Sequence, residues 1–311
     1  MKLNALLKTL GFLALAATPA LAGTSAPAKG PIAPVAPEND DLGINASIGY
    51  DTNYIWRGLN YGQHWVRAGI DGTILLVGGN GEDGAGSTSL NWDVQFGALA
   101  GDQDHFYPGG FGGVATPGDA SFQRLQLGAS IEHDLGPVQI WGGYRYYRNM
   151  GELASNANFF PLNGINDGQE VSVGVNAALG PIDLATSANY DFVNDYWYFD
   201  VTASSTIAVT DSFAIVPFAS IGYGKNMNWQ FDQNSILATN SNNNITGWTA
   251  IYTGVRFPIK LNSRATLIPY VAANLPLGPT QGMSTQANAA FLPTNAYNAV
   301  IVGGVTLSVS F

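Results

Sequence analysis

One pattern constrains this chain more than any other: an apolar/polar alternation with a period of two, cleanest at the C-terminus. From Tyr297 to Phe311 the odd positions Tyr297, Ala299, Ile301, Gly303, Val305, Leu307, Val309 and Phe311 form an apolar stripe. Asn298, Thr306, Ser308 and Ser310 stand on the even positions, with Val300, Val302 and Gly304. Successive side chains of a strand point to opposite faces, so this segment reads as a strand with one greasy face and one mostly polar face.

The alternation recurs through roughly twelve segments, each long enough to cross a bilayer as a tilted strand. In the first, Ile44, Ala46, Ile48, Tyr50, Tyr54 and Trp56 share a face opposite Asn45, Ser47, Asp51 and Asn53. The second, His64 to Val77, sets Val66, Ala68, Ile70, Ile74 and Leu76 against Arg67, Asp71 and Thr73. Leu90, Trp92, Val94 and Phe96 then oppose Asn91, Asp93 and Gln95. Later segments carry Arg124 and Glu132, Arg145, Glu170, Asp183 and Asp191, Asp200, and Arg256 on their polar faces. Pro217 and Pro269 fall inside such segments, and because proline cannot donate to a ladder each should mark a bulge or a rim.

The joints between segments carry independent information. Leu135-Gly136-Pro137, Gly180-Pro181, Thr210-Asp211 and Leu261-Asn262 have tight-turn chemistry. They alternate with the joints Arg57 to Gln63, Gly101 to Ala120, Asn149 to Asp167, Lys225 to Thr246 and Pro276 to Ala296, most of them long. Short turns at one rim and long loops at the other are the habit of outer-membrane barrels. Gly78 to Ser87 is long for its rim, and Asn194-Asp195 is short for the other.

Composition decides between water and lipid as the surrounding solvent. Only 11% of residues are charged, against about 25% in soluble domains, whose exteriors face water. Residues 1–22 read as a signal peptide: Lys2 and Lys8 flank the apolar run Leu10 to Ala16, and Ala20-Leu21-Ala22 offers a cleavage site. Residues 23–40 are a Pro/Ala-rich linker. No later apolar run reaches the roughly 18 residues a spanning helix needs. The expected fold is therefore all-β: a closed antiparallel transmembrane β-barrel of about 12 strands over residues 41–311, closed because an open edge in hydrocarbon strands its backbone polar groups.

Removing Lys2 and Lys8 with the signal peptide takes the formal charge from −10 to −12. An acidic balance argues against nucleic acid as a partner. The absence of cysteine excludes disulfides and thiolate metal sites. No metal site, cofactor or catalytic residue is assigned.

The expected lumen-lining acids are Asp51, Asp71, Asp93, Glu132, Glu170, Asp183, Asp191 and Asp200, facing Arg67, Arg124, Arg145 and Arg256. Such a set either tunes which solutes pass or forms a salt-bridged plug that lets little through. Tyr54, Trp56, Tyr190, Phe192 and Trp197 are expected in an interfacial aromatic girdle, and His64 and His133 at strand ends. Asp102-Gln103-Asp104-His105 and the asparagines between Lys225 and Thr246 read as polar loop. Catalysis through His105 and sugar binding by the asparagines are the sharper alternatives.

Two resemblances sharpen this. The terminal Phe311 looks like the signal by which outer-membrane barrels are recognised for insertion. The first hairpin, from Ser47-Ile48-Gly49-Tyr50-Asp51 through Tyr54, Arg57, Gly58 and Leu59, followed by Ala68-Gly69-Ile70-Asp71, resembles the opening of the TorF-type outer-membrane porins, whose signature Tyr54, Arg57 and Gly58 match. The resemblance implies a diffusion channel with no assigned substrate, and makes Arg57 a lumen or rim residue or the structural partner of an acid such as Asp51. The resulting expectation is a porin-like passive channel for small polar solutes with a weak cation preference, in the outer membrane of a Gram-negative bacterium after Sec-type export. Its partners are outer-membrane lipid, the assembly machinery and the solutes, with no enzymatic activity. A non-conducting barrel serving as adhesin or scaffold through its loops is the alternative.

Overall fold

In a computed structural model of the chain, residues 43–78, 86–100, 122–150, 167–227, 245–277 and 299–311 are described. The signal peptide, the linker, Asp102 to His105, the stretch 228–244, Tyr297 and Asn298 lie outside them. The strands are β1 (Ile44–Trp56), β2 (Leu59–Val77), β3 (Thr88–Leu99), β4 (Gln123–Asp134), β5 (Val138–Met150), β6 (Gly168–Leu179) and β7 (Ile182–Asp191). They continue as β8 (Tyr196–Ser204), β9 (Ile207–Ala208), β10 (Ala214–Met227), β11 (Ile245–Arg256), β12 (Ile259–Lys260), β13 (Ala265–Pro276) and β14 (Val300–Ser310).

Each long strand pairs antiparallel with its long neighbours, and β14 returns to β1 from Asn45↔Ser310 to Asp51↔Gly304. The sheet has no open edge. Because β9 and β12 are two-residue continuations, the closed ring has twelve crossing strands, as the alternation predicts. The backbone N–H of Phe311 donates to the carbonyl of Ile44 and ties the two ends of the barrel sequence together.

The prolines explain the two continuations. Between β8 and β9, residues 205–206 leave the ladder opposite Pro217, whose carbonyl still accepts from Ser205 N–H. Between β11 and β12, residues 257–258 do the same opposite Pro269, which accepts from Phe257 N–H. A residue without an N–H cannot close both sides of a ladder, so the neighbouring strand breaks where it meets one.

Burial alternates with the same period as the sequence. Along β8, Tyr196, Tyr198 and Asp200 are buried while Trp197, Phe199 and Val201 are exposed. In β14, Ile301 is 75% exposed and Val302 1%. The outward set continues around the ring through Ile48, Ile70, Phe96, Ile131, Val173 and Val271, all exposed. In water so broad an apolar surface would drive association; in hydrocarbon it is the matched solvent face.

Two expectations fail in the first hairpin. Residues 57–63 are not a loop: β2 begins at Leu59, and the turn is Arg57-Gly58, with φ of 53° and 86°. Positive φ at both central residues is the two-residue hairpin geometry whose twist suits the flanking strands. Tyr54 and Trp56 also do not face outward, being 5% and 4% exposed. Asn53, Tyr54, Ile55, Trp56 and Arg57 are all buried in succession, so both faces of the hairpin tip lie inside the ring and alternation no longer sorts them. Tyr190, Phe192 and Trp197 remain on the outer surface. His64 lies within β2 rather than at its end, at φ 59°, its ring against the Tyr50 hydroxyl at 2.7 Å, whereas His133 is next to last in β4.

Candidate functional site: a constriction inside the barrel

The Arg57-Gly58 turn crosses the interior. In a ring of twelve strands, β7 stands opposite β1, and the Arg57 guanidinium donates to Glu170 of β6 and to the Tyr196 hydroxyl of β8, the two strands flanking β7. The turn is also held from its own side, where Asn274 Nδ2 of β13 donates to the Gly58 carbonyl at 2.8 Å. A Cβ on Gly58 would lie 2.6 Å from the Cβ of Ala250 in β11, so glycine is required there by space as well as by φ. The bore is therefore spanned at this level.

Aromatic rings pack around the ion pair. The Arg57 guanidinium lies 4.6 Å from the Trp56 ring centre, 4.7 Å from Tyr198 and 5.1 Å from Tyr196. Arg124 stacks 4.6 Å from Trp56 and donates to the Tyr54 hydroxyl at 2.8 Å and to Asn149 at 2.7 Å. Tyr54 itself stacks on Trp65 at 4.0 Å between centroids. Arg57 and Glu170 are each 1% exposed. The opposite charges and hydrogen bonds of this pair, with ring faces against the guanidinium, offset the cost of burying it so fully.

A second kind of contact recurs along the inner face. Arg145 of β5 reaches Asp93 of β3 at 2.9 Å by passing over Gly128 of β4. Arg67 of β2 reaches Thr306 of β14 at 2.7 Å over Gly49 of β1, while its Nε pairs with Asp51 at 3.0 Å. Tyr270 of β13 donates to Asp51 of β1 at 2.8 Å over Gly304 of β14. A Cβ on Gly128 or Gly304 would collide with the bridging side chains, and one on Gly49 would press on them at 3.0 to 3.2 Å. A missing side chain on one strand lets its two neighbours bond across it.

The other acids named from sequence are placed on the same face. Asp71 accepts from Asn45 at 3.1 Å, and Asp200 accepts from the Ser187 hydroxyl. Asp191 caps the β7–β8 turn, accepting from the Val193 and Asn194 N–H groups at 3.0 Å each. Glu132 and Asp183 are half-buried towards the short-turn rim. Arg256 is buried over the Phe218 ring at 4.3 Å. Asp51 pairs with Arg67, not Arg57, so the expected Arg57–Asp51 pairing gives way to Arg57–Glu170.

Sequence reasoning missed Tyr196, Tyr198 and Asn274 at the constriction, and Tyr147, whose hydroxyl donates to Glu170 at 3.3 Å. Their parity was available, because each alternates with an outward apolar residue; their meeting at Arg57 was not. Among the described residues no group of three or more His, Asp or Glu side chains is gathered as a metal ion would need.

No protein-family model and no curated protein matches the chain. Among solved structures it is similar to a KdgM porin, at 10% identity over 86% of this chain and 99% of that one, with a TM-score of 0.45. It is similar to LpxR from Salmonella typhimurium at 8% identity, covering 86% and 100%, with a TM-score of 0.49. An outer membrane channel from Pseudomonas putida F1 is similar at 9% identity, covering 89% and 100%, with a TM-score of 0.48. These are similarities of backbone alone.

Proposed function

We propose that the protein is an outer-membrane barrel acting as a porin-like passive channel for small polar solutes, with the Arg57-Gly58 turn as its constriction. One observation carries the reading: a single closed sheet has an apolar outer face and an inner face of carboxylates, arginines and phenols. The short-turn rim, with Ile44 and Phe311, is assigned to the periplasm and the long connections to the outside. Export through the Sec route, with residues 1–22 as signal and Phe311 as insertion signal, belongs to this proposal, as does the TorF-type kinship suggested by Tyr54, Arg57 and Gly58.

Acids outnumber arginines on the inner face, which supports a weak cation preference. The non-conducting reading has its own support, because the Arg57–Glu170 pair spans the bore. Planar-bilayer recording separates the two. Stepwise currents whose reversal potential in a KCl gradient lies on the cation side support the channel; folded protein that passes no current under any voltage supports the scaffold.

A further inference from the structure

Among the described residues five arginines are buried: Arg57, Arg67, Arg124, Arg145 and Arg256. Four have anionic or hydroxyl partners, in Glu170, Asp51, Tyr54 and Asp93 respectively. Arg256 has none. It is 4% exposed, its guanidinium lies over the Phe218 ring, and its Nε and Nη2 are buried without a hydrogen-bond partner. An arginine cannot shed its charge, and a desolvated guanidinium without acceptors is costly, so such a group in a native fold calls for a ligand.

Among the described residues no counter-ion pairs with it. Arg256 pairs in register with Tyr270, Tyr270 with Gly304, and Gly304 with Asp51. The one acid of that row is already engaged by Arg67 and Tyr270. Counting Arg67, Arg256 and Asp51, the level carries one surplus positive charge. Nε and Nη2 also share one edge of the planar guanidinium, the edge that takes two oxygens of a single carboxylate or phosphate side by side.

We propose that Arg256 anchors an oxyanion-binding site inside the barrel near the short-turn rim, taking a carboxylate or phosphate group edge-on against Phe218. The site rests on the interior assigned under the proposed function but not on conduction, and because Nε and Nη2 are themselves enclosed, an oxyanion reaches them by displacing neighbouring side chains. Two sources offer this chemistry: a small anionic solute, or the chain's own Glu38, Asp40 and Asp41, which precede Ile44 in the sequence.

The test is thermal unfolding of the detergent-folded protein in inorganic phosphate against chloride at matched ionic strength. A solute site predicts a midpoint that rises with phosphate and saturates, a rise abolished in Arg256→Gln and reduced in Arg256→Lys, which keeps the charge without the fork. If the chain's own acids occupy the site, the rise appears only once Glu38→Gln, Asp40→Asn and Asp41→Asn are combined, and again requires Arg256. Arg256→Lys serves if Arg256→Gln does not fold. No phosphate-dependent rise in either background, or an equal rise without Arg256, overturns the proposal. A barrel that passes no current can still show the rise, so failure of the channel reading and failure of this site remain distinguishable.

Discussion

Arg57 occupies a conformation that an L-residue with a long side chain pays to adopt, about 1–2 kcal/mol for the left-handed region. The guanidinium contacts with Glu170, Tyr196 and the surrounding rings offset that cost. Arg57→Ala removes them and leaves Glu170 buried without its ion-pair partner, so chemical unfolding in micelles should show a loss of about 3–5 kcal/mol. Adding Glu170→Gln should restore part of the loss, and the double variant should be clearly non-additive; simple additivity would place the pair's energetic weight elsewhere. Gly128 makes a similar case at a position with no side chain. Gly128→Val inserts atoms where Asp93 and Arg145 bridge β3 to β5, and should lower stability by about 1–3 kcal/mol through overpacking and loss of the bridge. In an Asp93→Ala background the same substitution should cost less.

At the scale of the strand, β14 was legible because lipid and lumen impose opposite demands on its two faces, and nothing interrupts its parity between Val300 and Ser310. The end of β1 was not, because an alternation argument assumes that the strand stays in the wall. The hairpin tip, closed by a two-residue turn, leaves the wall and buries both of its faces, Tyr54, Ile55 and Trp56 alike, and an aromatic ring that suits an interface suits a packed lumen equally well. The one available signal was Arg57-Gly58 itself, a dipeptide whose glycine permits a tight hairpin. The glycine-spanned bridges were hidden for another reason: they need cross-strand register, which no single segment contains. The face assignment of β14 yields its own prediction. Val305→Arg on the outward face should cost about 2–4 kcal/mol near mid-membrane and reduce the heat-modifiable folded band, whereas Ser308→Arg on the inward face should assemble nearly normally. Equal damage from both would contradict the assignment.

For the whole molecule, closure and composition follow from a single choice of solvent: with hydrocarbon outside, every backbone polar group must be satisfied within the ring and charge must go inward. The number of crossing strands and the inward charge were readable on that basis, whereas the filling of the bore depended on which inward side chains meet across it. Arg57 and Glu170 meet there, so the central claim is that a channel is constricted by this pair. The most direct measurement is single-channel conductance of Arg57→Gly beside the wild type, since glycine accepts the same positive φ and removes only the side chain that spans the bore. A clear rise in conductance from a barrel that still folds, though less stably, is the expected result. Identical conductance in the two proteins, or no current from either, would contradict the account.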